Sequence, residues 1–318
     1  MIEPSLAAEL LLKLLPIYLL IGLGVFAKKL EIEIKSISRL LLYFGAPGVF
    51  FHSTNSANLS WHFLLFPLSF FLSACCIALI IFALGQKQNP KSPNNALLAF
   101  ISASSNSGYF GIPATILLFG ESLGGIATIL SFGHVLYEYS LGIYLLQREH
   151  YGLKQAVKKI FSLPGVYAFL LGITTNFLGY KSPAFLIPFW KNFYGLYSIL
   201  GMMAIGMALK TSSTVSPSKS LIGHSISNMQ KKDLILGLMA RFVLWPIFIG
   251  IILCIPHFVP HDLRPIFILY AFIPFGANGI AFAKEFNLNV SFAAKIIFIG
   301  TLISSLVIPL FLPLFLAN

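Results

Sequence analysis

Long, continuously apolar runs separated by short polar segments dominate the chain. They cover approximately residues 10–28, 36–54, 63–85, 96–119, 123–147, 163–180, 190–210, 233–256, 264–286 and 291–316. A helix needs about 20 apolar residues to cross the hydrocarbon layer of a membrane. The pattern therefore predicts an all-α integral membrane protein with ten transmembrane helices.

Composition supports the same prediction. The chain is 57% hydrophobic and 10% charged, whereas a soluble domain carries about 25% charged residues. The net charge of +11 comes from basic residues that lie between the apolar runs rather than in an amphipathic patch. We therefore interpret them as determinants of membrane topology, expect the lipid bilayer as a partner, and expect no nucleic acid.

The basic residues also predict an orientation, because Lys and Arg are enriched in cytoplasmic loops. With the N-terminus outside, most of them fall in loops on the inside, and four lie outside: Lys13, Lys181, Lys191 and Arg264. We expect a protein of a bacterial-type inner (cytoplasmic) membrane with both termini on the non-cytoplasmic side.

Two of the apolar runs are interrupted at corresponding places. In each, Ala-Phe-Ile is followed five residues after its Ile by Asn, namely Asn106 and Asn278. Gly and Pro surround both asparagines and disfavour a continuous helix. Paired interruptions in two halves of a chain indicate the binding site of a secondary transporter, and helix N-termini that face such breaks favour an anion.

Ten helices divide into two inverted five-helix repeats with broken, crossing helices 4 and 9. We assign residues 1–150 to the first repeat, 151–162 to a cytoplasmic connecting loop and 163–318 to the second, inverted repeat. The assignment rests on matches between runs 4 and 9 and between runs 5 and 10.

The two breaks provide the candidate site residues. The substrate-binding candidates are Ser105, Asn106, Ser107 and Gly108 in the first break and Pro274, Gly276, Asn278 and Gly279 in the second. Gly111 and Pro113 complete the first helix break. The alternative is a pair of kinked helices that pack through small residues, with each Asn bonded to a neighbour.

Three ionisable residues within the runs are further candidates. His134 and Glu138, four residues apart, could share a proton and serve proton coupling. Arg241 could contact a substrate anion or extend to the cytoplasmic headgroups, and we favour the headgroups. We expect no catalytic residue, no metal site and no cofactor, with H⁺ or Na⁺ as the coupling ion.

The segment Asn106-Ser107-Gly108-Tyr109-Phe110-Gly111-Ile112-Pro113 resembles the signature of the auxin efflux carrier family. Residues 46–51, 241–246 and 301–309 are also similar to segments of that family. The resemblance implies two inverted five-helix repeats, an elevator-like mechanism and a small organic acid anion such as auxin, malate or malonate as substrate. The short loop at 148–162 resembles that of compact bacterial members, and a homodimer through helices 1, 2, 6 and 7 would suit such a scaffold.

Other classes of protein remain open. A transporter of the sodium–bile acid class shares the broken-helix plan and would use sodium sites rich in Glu, Gln and Asn near the crossing. Both breaks lack acidic residues, which weakens this alternative without removing it. A membrane-embedded lipid-modifying enzyme would need an acid–base cluster, and only His52 and His62 lie near one outer loop. A receptor would need a signalling domain. The chain has no nucleotide-binding loop of the Gly-x-x-x-x-Gly-Lys-Ser/Thr type, so we expect a carrier that ATP does not drive directly.

Overall fold

The computed structural model describes residues 4–90, 92, 94–148, 152, 154, 158, 160–214 and 228–316. The first half contains the helices α1 (Pro4–Lys29), α2 (Ile34–Leu40), α3 (Ala46–Ser56), α4 (Leu65–Gln88), α5 (Asn95–Ala103), α6 (Ile112–Phe119), α7 (Gly124–Tyr137) and α8 (Ile143–Gln147). The second half contains α9 (Pro164–Phe177), α10 (Ile187–Thr214), α11 (Asn228–Met239), α12 (Trp245–Cys254), α13 (Arg264–Phe272), α14 (Asn278–Glu285) and α15 (Val290–Leu316). In these residues the fold is all helical apart from one isolated β-bridge.

Five helical segments of the described chain are long and apolar enough to cross a membrane. They are Ala7–Lys29, Trp61–Gln88, Glu121–Gln147, Lys231–Cys254 and Val290–Phe315. The protein is therefore an integral, multi-pass membrane protein. The other predicted runs also coincide with helical segments, several of them interrupted, and the count of ten transmembrane helices stays a prediction.

Four wide, π-helical turns interrupt the described helices, and three of them have a common cause. The turns Leu41–Gly45, Ser107–Gly111 and Ala240–Leu244 each end two residues before a proline, namely Pro47, Pro113 and Pro246. A proline lacks the N–H of a regular turn, and its ring clashes with the carbonyl four residues before it. That carbonyl lies inside the π turn in each case, so the wider turn accommodates the proline without ending the helix.

We describe the helices as two groups, which also pack against each other through α3 and α7 and through α1, α10 and α15. In the first group α1 packs along α10 and α3 along α9. The α1–α10 contact is close because a Cβ on Gly24 or Gly206 would collide with the backbone of the opposite helix, as is typical of small residues at membrane helix crossings. In the second group α4 packs on α5 and α7, and α15 on α13 and α14.

Candidate functional site

The two interrupted segments meet each other through their backbones. α5 ends at Ala103 and α13 at Phe272. Beyond these ends the N–H of Asn106 donates to the carbonyl of Pro274 at 2.9 Å, and the N–H of Gly276 donates to the carbonyl of Ser104 at 3.1 Å. The result is an antiparallel bridge between Ser105 and Phe275. We call residues 104–106 and 274–276 the crossing.

The crossing satisfies the backbone groups that leave the helices. Non-helical backbone at membrane depth is stable only where it is buried in protein or lines a polar cavity. Gly276 allows the close approach, because a Cβ there would collide with Ser104 Oγ and lie 3.0 Å from Glu138 Oε1. Any larger residue at this position would displace the Ser104 hydroxyl from Glu138 or push the two segments apart.

Glu138 joins the two breaks from one side. Its Oε1 accepts a hydrogen bond from Ser104 Oγ, and its Oε2 accepts one from Asn278 Nδ2 at 2.7 Å. The side chain is only 3% exposed. Asn278 is the first residue of α14, so the carboxylate lies at a helix N-terminus, where the helix dipole favours negative charge.

Arg241 lies in the π turn between α11 and α12 and also joins the two breaks. Its Nη1 donates to Ser105 Oγ, and its Nη2 donates to the carbonyls of Tyr270 at 2.8 Å and Ala271 at 3.3 Å. These carbonyls lie in the last turn of α13, where no helical N–H follows that could bind them. The negative end of the helix dipole also favours a cation at this place. Arg241 therefore caps the C-terminal end of one half-helix.

Trp245 performs the same role for the other half-helix. Its Nε1 donates to the carbonyl of Ser102, in the last turn of α5, at 3.0 Å. The Arg241 guanidinium lies 5.1 Å from the ring centre of Trp245, a distance at which a cation–π contact adds stability. One segment, with its π turn at Ala240–Leu244, thus holds the ends of both broken helices.

The remaining predicted residues lie at or beside the crossing. The carbonyl of Asn106 accepts from the N–H groups of Phe110 and Gly111 at 3.1 and 3.0 Å, and its side chain is buried. Gly108 faces the hydroxyl of Tyr197, which a Cβ on Gly108 would approach to 2.7 Å. Gly279 packs in the same way against Ile101, 2.9 Å from such a Cβ.

The first break is also held by Tyr270, a residue that the sequence interpretation did not select. Its hydroxyl lies 2.9 Å from the Ala127 carbonyl, 3.1 Å from Ser131 Oγ and 3.4 Å from the Ser107 carbonyl. A Cβ on Gly111 would lie 2.9 Å from that hydroxyl. The only sequence signal was its position directly before the Ala-Phe-Ile of the second break.

The side chains of His134 and Glu138 are not hydrogen-bonded to each other in the described structure, and the role of the pair in proton coupling stays a prediction. Neither ring nitrogen of His134 has a hydrogen-bond partner in the described part of the chain. The ring packs instead against Phe70 and Trp245, with ring centres 5.4 and 5.0 Å away. Two donors from the breaks satisfy the carboxylate, and aromatic rings enclose the imidazole.

The preference for Arg241 at the headgroups is wrong. The side chain is fully buried, and its donors bind the crossing. The sequence did not predict this, because a hydropathy pattern gives no direction around a helix. The argument against a sodium site changes as well. Both breaks do lack acidic residues, but Glu138 of the neighbouring segment supplies a carboxylate to them.

Comparisons with known proteins agree with this architecture. The family model described as "Membrane transport protein" matches residues 10–156 and 147–312. An uncharacterized transporter of Methanocaldococcus jannaschii is 27% identical over 207 residues, which are 61% of this chain and 67% of the relative. An uncharacterized transporter of Methanothermobacter thermautotrophicus is 24% identical over 306 residues, 92% of each chain.

The family match covers most of the chain, and both relatives carry the name of transporters. The protein is thus a membrane transporter rather than an enzyme, and it belongs to the membrane transport protein family, that of the auxin efflux carriers.

Proposed function

We propose that the protein is a secondary transporter that moves a small organic acid anion across the membrane by an elevator-like mechanism, with the crossing as its transport site. The observation that carries the proposal is the backbone pairing of the two breaks through Asn106, Pro274, Ser104 and Gly276. Such pairing creates a polar site between half-helices, as in carriers built from broken helices.

Recognition of an anion would use groups that the structure leaves beside the crossing. α14 begins at Asn278, and the π turn that follows the first break begins at Ser107. The N–H groups at such starts point away from their helices and attract negative charge. The side-chain amide of Asn106, buried at the crossing, would add a donor to a carboxylate bound there.

Glu138 is the candidate for ion coupling. It accepts hydrogen bonds from one residue of each break, Ser104 and Asn278, so a change of its charge would act on both half-sites at once. A proton on the carboxylate would remove one of these acceptors, whereas Na⁺ would be held by the same oxygen atoms. The sodium-coupled reading, in the manner of bile acid carriers, is therefore the second candidate function.

The two packing groups suit an elevator. The group of α1, α3, α9 and α10 would form a scaffold, and the group that contains the crossing would move against it. Two inverted repeats of five helices, a homodimer through the scaffold, and an inner membrane location with both termini outside complete the proposal. The repeats, the homodimer, the location and the orientation go beyond the established conclusion that the protein is a multi-pass membrane transporter.

The test is uptake of radiolabelled malate, malonate and an indole acid into proteoliposomes, with pH and sodium gradients imposed separately. We expect saturable uptake of at least one anion that one gradient accelerates. A pH gradient that accelerates uptake supports proton coupling, and a sodium gradient supports the second candidate. Correctly folded protein that takes up none of these anions under either gradient would contradict the proposed substrate class.

A further inference from the structure

A second polar site lies outside the crossing. A cavity of about 440 Å³ lies between the end of α3, the residues that precede and begin α7, and the start of α10. Its volume falls within the range of about 300–1,000 Å³ that small-molecule sites occupy. The residues of its wall that matter here are His52, Asn55, Glu121, Lys181, Lys191 and Tyr194.

The cavity carries more positive than negative charge. Lys191 Nζ binds Glu121 Oε2 at 2.7 Å, which neutralises one lysine. Lys181 Nζ donates to the backbone carbonyl of Asn55 at 3.0 Å, so its charge faces no carboxylate in the described wall. The net charge of the wall is positive, and a concave surface with a net charge concentrates ligands of the opposite sign, here an anion.

His52 provides an independent indication of a ligand. The side chain is 8% exposed, and its Nδ1 has no hydrogen-bond partner in the ranges that the structure describes. The ring stacks on Trp190 at 6.0 Å, and the buried Nε1 of Trp190 likewise lacks a described partner. Buried polar atoms in proteins are nearly always hydrogen-bonded, so an imidazole nitrogen left unpaired at a cavity wall is available to a ligand oxygen.

One helix links this cavity to the first break. Tyr194 lines the cavity, and Tyr197 lies about one turn further along α10. Tyr197 contacts Tyr109 with ring centres 5.1 Å apart, and its hydroxyl faces Gly108. The same helix therefore contacts both the cavity and the residues that follow the first break.

We propose that the cavity is a second anion-binding site, which holds the carboxylate of an organic anion on the predicted non-cytoplasmic side before or after it occupies the crossing. His52 and Lys181 would contact the carboxylate, and Tyr194 and Ile116 would contact the body of the ligand. The choice of organic anions as ligands rests on the proposed function. The presence of an anion site in the cavity rests on the cavity alone.

The experiment places a thiol in the cavity and measures its reactivity. Ser122 is an exposed wall residue, so Ser122→Cys is made in a background in which Cys75, Cys76 and Cys254 are replaced by Ala. The thiol is treated with an anionic and a cationic methanethiosulfonate, and each rate is divided by that reagent's rate with 2-mercaptoethanol. We expect the normalised anionic rate to be about tenfold higher, and malonate, malate or indole-3-acetate to slow it.

Matched variants separate the cavity from general surface charge. His52→Gln combined with Lys181→Gln should abolish both the charge preference and the protection. The control combines His62→Gln, an exposed histidine, with Lys13→Gln, which belongs to the exposed Lys13–Glu9 ion pair at 2.7 Å. The control should keep both effects, and a gel-filtration profile shows whether each variant is folded.

The outcomes distinguish this inference from the proposed function. Protection that persists in Asn278→Ala, a variant of the crossing, supports a separate site. Charge preference and protection in a protein that takes up none of the anions would leave the cavity site standing and contradict the proposed function. Absence of charge preference, or no protection by any of the three anions, in a protein that transports one of them would overturn the inference.

Discussion

At the scale of single residues, two buried charged side chains organise the crossing. Glu138 binds Ser104 and Asn278, while Arg241 binds Ser105 and the end of α13. Ser104 and Ser105 are neighbours, so the two charges act on adjacent positions of the same break. A buried charge is tolerated only with such partners, which explains why both occur inside otherwise apolar segments.

The coupling proposal predicts a specific phenotype for Glu138→Gln. Glutamine cannot release or bind a proton in the physiological range, so an imposed pH gradient should no longer accelerate uptake. Exchange of labelled for unlabelled substrate in the absence of a gradient should continue, because exchange needs no net proton movement. Glu9→Gln, at an exposed ion pair, is the control, and a Glu138→Gln protein that still responds to the pH gradient would exclude proton coupling at this residue.

Arg241→Lys should lower the stability of the protein. A lysine offers one nitrogen in place of the two guanidinium nitrogens that separately reach Ser105 and the α13 carbonyls, so it should lose part of these contacts. Hydrogen bonds to charged groups contribute about 1.5–3 kcal/mol each. We expect a clear decrease in the unfolding temperature in detergent, followed by tryptophan fluorescence. Arg264→Lys, at an exposed helix start, should unfold at the wild-type temperature. Equal unfolding temperatures for all three proteins would show that Arg241 is not a structural cap.

At the scale of elements, the positions of the breaks could be predicted, but their partners could not. Pro274, Gly276 and the glycines near Asn106 disfavour helix by local chemistry alone, so the sequence suffices to find them. The contacts of Glu138 and Arg241 depend on which side of a helix faces the protein. Both residues lie in runs that are apolar on all sides, so periodicity carries no information about direction.

The contact of the two breaks could be expected only from their matching positions, since a backbone bridge such as Ser105–Phe275 leaves no sequence pattern. Three of the π turns could have been inferred from Pro47, Pro113 and Pro246, because each proline disturbs the turn before it. The fourth, Glu138–Gly142, contains no proline and is followed by none within two residues, and the sequence shows no equivalent signal for it.

The close approach of the two breaks predicts the effect of a single methyl group. Gly276→Ala places a Cβ against Ser104 Oγ and 3.0 Å from Glu138 Oε1, so it should separate the breaks and reduce uptake by about tenfold or more. Gly250→Ala is the matched control, because no atom lies within 4 Å of a Cβ there. Uptake is measured in proteoliposomes at equal protein content, and equal rates for the two variants would contradict the described crossing.

At the scale of the whole molecule, the Glu121–Lys191 ion pair is one of the contacts between the two packing groups. Glu121 precedes α7 in the group that contains the crossing, and Lys191 belongs to α10 of the proposed scaffold. Both side chains are exposed, so the ion pair itself contributes little to stability. It does identify a place where the two groups can be joined covalently.

An elevator requires the two groups to move against each other. Glu121→Cys with Lys191→Cys, in a background without the native cysteines and joined by a short bifunctional thiol reagent, should lose uptake. Cleavage of the reagent by a reductant should restore the rate of the untreated variant. Glu9→Cys with Lys13→Cys, joined within α1, should transport normally. A protein joined at 121 and 191 that transports at the rate of its untreated form would rule out relative motion of the groups at this position.

The central claim is that the crossing is the transport site. The most direct measurement compares initial rates of uptake for Asn106→Ala, Asn278→Ala and the control Asn58→Ala, an exposed loop asparagine, in proteoliposomes with the same amount of folded protein. We predict that both crossing variants lose about tenfold or more of the rate, while Asn58→Ala matches the wild type. Wild-type uptake by both crossing variants would contradict the claim and place the transport site elsewhere in the protein.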